Sequence, residues 1–388
     1  MSSTLAIGPV AGAVAPGWEP VRDAFAKNFE ARDEVGAAVC VYHHGRPVVD
    51  LCGGVADIAT SRPWTDDTIV LVYSMTKGVS AVCANLLVER GALDPDAPVA
   101  SYWPEFAAKG KGDIPVKWVL SHQAGLAVIE ADVTLEHALS WTPVVDALAA
   151  QPPNWEPGTA HGYHLRSYGW LVGEIVRRID GRTIGRFFAD EIAAPLGLDF
   201  WIGLPESEEP RVAMLVPPPV EFRELMRTLP DTMLLARATT GPSGLFNYDE
   251  MWNRRELRAC ELPSSNGVGN ARAVAKLYAS LIGEVDGRRT LRAETVARAT
   301  ECLARGPDAV ILTETAFGLG FMLGPTLPTP CGPRAFGHGG AGGSVSFADP
   351  DAGLAFAYVM NDLRFDMDGD PRGESLARAA YRCLAGLG

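Results

Sequence analysis

Ser74-Met75-Thr76-Lys77 opens a strongly apolar run to Arg90, and this stretch decides how the chain is read. Val79, Ala81, Val82, Ala84, Leu86 and Leu87 recur at helical spacing, and Gly91 stands where a helix C-cap would. Serine and lysine three apart on a helix share one face, with about 5–6 Å between their Cβ atoms. A neutral serine hydroxyl is a poor nucleophile and needs a base within hydrogen-bond reach, which this spacing supplies. Ser74 would also start the helix, where the macrodipole favours developing negative charge. Alone, the pattern reads first as an N-cap serine with a solvated lysine. The apolar helix changes that: a lysine in the first turn of a buried helix needs a reason.

Upstream, Trp18 to Phe29 has the spacing of an amphipathic helix. Gly36–Tyr42 and Pro47–Leu51 flank His43-His44-Gly45-Arg46, which predicts a hairpin. Downstream, residues 95 to 250 are rich in Pro and Trp, with helical stretches at Pro143–Ala150 and Ser167–Arg178 and few strand-like runs. Strands return at Gly318–Leu323, Gly343–Ala348 and Leu354–Met360, and a helix over Glu374–Leu384 closes the chain. Strands at both ends with helices between predict a discontinuous α/β domain over 15–95 and 250–388. A mostly helical insertion over 96–249 completes it, with the active site in the cleft between the two.

Further motifs follow in a set order. Ser74-Met75-Thr76-Lys77 resembles the nucleophile motif of the serine β-lactamase and penicillin-binding-protein superfamily. Val119-Leu120-Ser121-His122-Gln123-Ala124-Gly125-Leu126 is similar to that superfamily's L-L-S-H-T-S-G-L segment. Trp155-Glu156-Pro157-Gly158 precedes Tyr163 as W-x-P-G precedes the second catalytic tyrosine. Phe336-Gly337-His338-Gly339-Gly340 looks like the third motif, on a strand lining the site. The variant details look most like the β-lactamase-like, family VIII, carboxylesterases. The resemblance implies a β-lactamase-like fold: an antiparallel sheet flanked by helices, of mixed α+β or α/β class, with a mostly helical insertion.

It also implies roles. Ser74 would form the acyl-enzyme. Lys77, desolvated beside it, would take the proton, and Tyr163 would share that proton and pass it to the leaving alcohol. The backbone N–H groups of Ser74 and Ala341 would form the oxyanion hole. His338, Gly339, Gly340 and Leu165 would contact substrate. The glycines suit a strand that a substrate approaches closely. Two departures bear on the substrate. Class C β-lactamases carry Tyr-x-Asn where this chain has Tyr163-His164-Leu165, and Lys-Thr-Gly where it has His338-Gly339-Gly340. The missing asparagine weakens recognition of a lactam's amide side chain. The missing lysine weakens recognition of its carboxylate, so an uncharged ester is the better fit.

Composition removes other classes. The net charge is −13, which repels phosphate backbones and argues against nucleic acid. Cys40, Cys52, Cys83, Cys260, Cys302, Cys331 and Cys383 are widely and irregularly spaced, which reads as buried reduced thiols. The start, Met1 to Pro20, lacks a basic residue and an unbroken apolar stretch, and no run reaches membrane-spanning length. A cytoplasmic protein without membrane attachment is the expectation, with self-association left open. There is no G-x-S-x-G elbow, Ser243 reads as a turn residue, and no nucleotide fingerprint is complete. His161 and His164 read as support for Tyr163 rather than metal ligands, and Asp366–Asp370 as a solvated loop rather than a calcium site. No metal or cofactor is expected.

A carboxylesterase acting on short acyl or aryl esters is therefore the leading reading. A β-lactamase or D-amino-acid peptidase and an acyltransferase are the enzymatic alternatives. A non-catalytic binding protein on the same fold is the alternative of another class.

Overall fold

The computed structural model describes residues 10–230, 232–241, 243–365 and 369–387. Its main sheet has ten strands, every pairing antiparallel. Nine run in one path: β1 (Ala11–Val14), β2 (Gly36–His43), β3 (Arg46–Asp57), β4 (Ala304–Pro307), β5 (Glu314–Phe317), β6 (Met322–Leu323), β7 (Phe336–Gly339), β8 (Val345–Asp349) and β9 (Leu354–Met360). Their order is β1-β3-β2-β9-β8-β7-β6-β5-β4, and Arg62–Pro63 pairs with β3. The two ends of the chain thus meet at β2 and β9, where Ala37 to His43 pairs with Met360 to Leu354.

Six longer helices matter here: α1 (Glu19–Ala31), α2 (Met75–Glu89), α3 (Thr142–Ala150), α4 (Ser167–Asp180), α5 (Ala271–Ile282) and α6 (Pro371–Leu387). Helices α1 and α6 pack on each other, α5 lies across β2, β8 and β9, and α2 packs against α4 and β7. Every residue of α2 from Met75 to Leu87 is buried, as its apolar sequence requires. Gly78 lets α2 close on its neighbours, since a Cβ there would stand 2.1 Å from the Tyr278 hydroxyl. A continuous buried cluster joins Phe25 and Phe356 to Trp170 and Phe187, so the sheet and the helices of the middle segment share one core.

The fold is the one the motifs imply: an antiparallel sheet flanked by helices. His44 and Gly45 both have positive φ (47° and 75°), the turn that suits a two-residue hairpin between β2 and β3. Other details depart from expectation. The strand expected over Gly318–Leu323 is split. Gly320 has φ 90°, and the chain turns over Gly318–Phe321 between β5 and β6. The loose start holds a strand after all, β1, paired to Val49–Cys52. All seven cysteines are unbridged, but Cys302 is exposed and Cys260 and Cys331 are half-buried. Of the acidic loop, residues 366–368 lie outside the described residues, while Asp370 pairs with Arg372. No helix among the described residues is long and apolar enough to cross a membrane.

One buried ion cluster braces the sheet near the third motif. Arg372 is fully buried, 2.9 Å from Glu34, and also pairs with Asp370. It donates to the carbonyl of Gly342, at the turn after β7 (3.2 Å). Burial pushes the Glu34 carboxyl up to about 7 despite Arg372 beside it, with the Tyr358 hydroxyl also donating to it. A carboxyl raised in the folded state stabilises most below its ordinary range, and that contribution declines as pH rises through about 7. Arg372→Met should therefore cost about 3–5 kcal/mol in urea unfolding, because it leaves a buried carboxylate unpaired. The loss should deepen between pH 5 and 8 (about those limits). A variant within about 1 kcal/mol of the parent at all pH would contradict this role.

Candidate active site

Ser74 sits at the N-cap position of α2, yet its side chain makes no capping hydrogen bond. Its hydroxyl is left for other work. The residue before it, Tyr73, is buried with φ 46°, a region non-glycine residues rarely adopt. Such strain persists only where the surroundings over-determine it. Here the Val72 N–H donates to Gly267 O (2.9 Å), and the Gly267 N–H donates to Thr76 Oγ1 (2.8 Å). The Thr76 hydroxyl in turn donates to Tyr73 O (2.5 Å).

Lys77 is fully buried. Its Nζ stands 3.0 Å from Ser74 Oγ and donates to the carbonyls of Leu165 (2.7 Å) and Ser264 (3.0 Å). A carbonyl only accepts, so two N–H bonds are committed. A neutral amine then has one lone pair left, and it faces the Ser74 hydroxyl. Burial first, and the Arg166 charge second, hold the Lys77 amine well below the usual lysine range. The face of the Tyr163 ring, 4.7 Å away, pulls the other way by favouring a cation. Full burial outweighs one ring face, because desolvation of a fully buried amine is the larger effect.

Tyr163 packs in a small apolar cluster with Val128, Leu165, Val310 and Phe317. Burial raises its hydroxyl above the usual phenol range. The hydroxyl is 3.4 Å from His338 Nε2. His338 Nδ1 lies 2.6 Å from Gly339 O, and only an N–H can bond a carbonyl. The proton is therefore on Nδ1, and Nε2 accepts from Tyr163. Burial, then the nearby Lys77, lower His338 to about 3, so the ring is neutral at ordinary pH. His338 thus backs Tyr163 from a fully buried position. Leu165 reaches the site through its carbonyl, on Lys77, while its side chain packs beside Tyr163.

The third motif lies on β7 and the turn after it. Gly340 has to be glycine: a Cβ there would stand 2.3 Å from the Val72 carbonyl, two residues before Ser74. Its absence brings the turn against the Ser74 loop. Neither the Ser74 nor the Ala341 amide donates a hydrogen bond to any acceptor among the described residues. Two unengaged N–H groups on abutting loops can receive a developing oxyanion.

The remaining motifs are scaffold. His122 has φ 63°, and its Nδ1 accepts from the His164 N–H (3.1 Å). His164 accepts from the Leu126 N–H (2.9 Å), and its Nδ1 bonds Gly162 O (2.6 Å). Gly158 N–H bonds Gln123 O (3.0 Å). The Val119–Leu126 and Trp155–Gly158 stretches thereby grip the loop that carries Tyr163. His161 bonds Thr315 (2.9 Å), which donates to Asp308 (3.0 Å), and Asp308 accepts from the Tyr163 N–H (3.0 Å). No group of three or more His, Cys, Asp or Glu side chains among the described residues could hold a metal. Ser264, Asp308 and Arg166 were not singled out by the motifs. Ser264 acts through a carbonyl, which any residue carries, and Asp308 sits in an unremarkable turn. Arg166 did carry a signal, a lone charge at the start of the apolar helix α4.

An antiparallel sheet flanked by helices, with this motif order, defines a β-lactamase-like serine hydrolase. The chain belongs to the Beta-lactamase family, whose model matches residues 21–381. It is 35% identical over 365 residues to Esterase/beta-lactamase LipL of Mycobacterium tuberculosis (strain ATCC 25618 / H37Rv), covering 91% of this chain and 83% of that one. The crystal structure of a family VIII carboxylesterase superposes with a TM-score of 0.88 at 40% identity, over 97% of this chain and 100% of that one. A penicillin-binding-protein homologue from Caulobacter crescentus gives 0.87 at 38% identity, over 97% and 100%.

Proposed function

We propose that this protein is a carboxylesterase that hydrolyses short acyl or aryl esters through an acyl-enzyme on Ser74. The observation that carries the reading is the buried Lys77 amine, whose Nζ lies 3.0 Å from Ser74 Oγ and is held by the carbonyls of Leu165 and Ser264. The Ser74 oxygen attacks the ester carbonyl as its proton passes to Lys77. The Ser74 and Ala341 N–H groups hold the oxyanion. Tyr163, backed by neutral His338, gives its proton to the leaving alkoxide and is reprotonated from Lys77, so an alcohol departs. Water then attacks the acyl-enzyme, gives a proton to the same pair, and releases the acid. His338, Gly339, Gly340 and Leu165 are proposed to border the substrate, through backbone where their side chains are buried.

Ser74, Lys77, Ser264 and His338 come from outside residues 96–249, and Tyr163 and Leu165 from within. That supports the proposed division into 15–95 plus 250–388 and 96–249, with the site where they meet. A small-molecule ester is the proposed partner.

The mycobacterial relative's name pairs esterase with β-lactamase, which keeps a β-lactam reading in play. The neutral His338 argues against it, since a lactam carboxylate finds no cation there. Short p-nitrophenyl esters should be cleaved with a kcat/KM at least about 10³ above that for benzylpenicillin, the size of discrimination an unmet charge can impose. Equal turnover of the two would reverse the order of the readings.

A further inference from the structure

Arg166 is buried, and no carboxylate among the described residues pairs with it. Its guanidinium donates to Ser265 Oγ from Nη1 (3.0 Å) and to Thr239 O from Nε (3.4 Å) and Nη2 (3.3 Å). It lies over the rings of Trp252, Tyr248 and Phe246, at 4.9, 5.5 and 5.6 Å. Aromatic faces attract a cation but do not neutralise it. A buried, uncompensated charge is costly to keep, so its position is informative.

That position is beside Lys77 in the hydrogen-bond network. Arg166 follows Leu165, and its own carbonyl accepts from Ser264 Oγ (2.9 Å). Leu165 and Ser264 are the two residues whose carbonyls hold Lys77 Nζ. We propose that Arg166 is a positioning residue: anchored on Ser265 and Thr239, it fixes the Leu165 and Ser264 carbonyls around Lys77 and sets a buried positive charge next to that network. This rests on Lys77 being the proton acceptor. The other polar groups around Lys77 are Ser74, Tyr163, His338, His122 and His164. Burial keeps the three histidines neutral. Asp308 stands behind His164, occupied by the Tyr163, Val310 and Ile311 N–H groups and the Thr315 hydroxyl. Arg166 is the charge that acts on Lys77 without a counter-ion, and it adds to burial in holding the amine down.

The chain has six lysines, so the full-length protein labelled with [ε-13C]lysine gives a readable spectrum, with Lys77→Met assigning its signal. In the parent, the Lys77 signal should titrate well below the usual lysine range. In Arg166→Gln, which removes the charge, its midpoint should rise by about one pH unit or more. Arg166→Met is the second neutral variant; its flexible side chain can still pack against the three rings. The acid limb of kcat/KM should move by the same amount. Arg166→Lys, which keeps the charge, should stay near the parent. A midpoint unchanged in the folded neutral variants overturns the role of Arg166 and leaves Lys77 as the base. If Lys77 of the parent titrates in the usual lysine range, the proton-acceptor reading falls first, and this proposal with it.

Discussion

Ser74→Ala should lower ester turnover by at least about 10⁴, because removing a nucleophile abolishes the acyl-enzyme path and leaves only binding and oxyanion stabilisation. The fold should survive. Ser74 makes no cap bond, and Lys77 keeps both carbonyl acceptors when the hydroxyl is gone. Stability should therefore change by about 1 kcal/mol or less, the worth of one hydrogen bond. The change could be a gain, since a site strained at Tyr73 is built for activity rather than stability. The measurement is kcat on p-nitrophenyl butyrate with urea unfolding on the same sample. A stable variant with kcat within tenfold of the parent would exclude Ser74 as nucleophile.

Lys77→Arg and Tyr163→Phe should each cost about 10²–10⁴ in kcat, the range of general acid–base catalysis. A guanidinium keeps charge and most of the length but cannot release its proton. Phenylalanine keeps the ring stacked on Phe317 and removes only the hydroxyl bonded to His338. The double variant should be far less than multiplicatively worse, because groups that act as a unit are non-additive. Activity needs Lys77 neutral, and the neutral fraction rises with pH. A depressed lysine therefore places the acid limb well below the usual lysine range, followed by a plateau. Tyr163 is held above its ordinary range, so it should cause no fall on the alkaline side of that plateau. A folded Lys77→Arg enzyme with near-normal kcat, or a limb near ordinary lysine, would contradict the assignment.

The parts of this site that are local in sequence could be read from it. Ser74 and Lys77 declare themselves by three-residue spacing on a helix too apolar to be exposed. Gly340 and Ala341 come from the resemblance of the third motif, and for Gly340 the structure supplies a cause: the Val72 carbonyl leaves no room for a Cβ. Groups that act through the backbone left no mark. The carbonyls of Leu165 and Ser264 could belong to any residue type, and they meet Lys77 only through tertiary packing. His338 was legible as a site residue, but its facing of Tyr163 was not, since ring orientation depends on the Gly339 carbonyl. In the fold, β9 showed as an unbroken apolar run because both its faces are covered. Strand β4 did not, because an edge strand holding Arg305, Gly306 and Pro307 has neither apolar period nor β-propensity. Gly318–Leu323 misled for a related reason. Its apolar residues are core, but Gly320 passes 2.6 Å (measured to a virtual Cβ) from Ala81 and turns the chain there.

The most direct test of the account is intact-protein mass spectrometry after rapid mixing with p-nitrophenyl acetate and acid quench, then peptide mapping. One acetyl group should be found per chain, on the peptide carrying Ser74 and at Ser74 itself. It should be absent in Ser74→Ala and should decay with time in the parent. An acetyl group at another residue that forms and decays at the turnover rate, or turnover undiminished in Ser74→Ala, would contradict it.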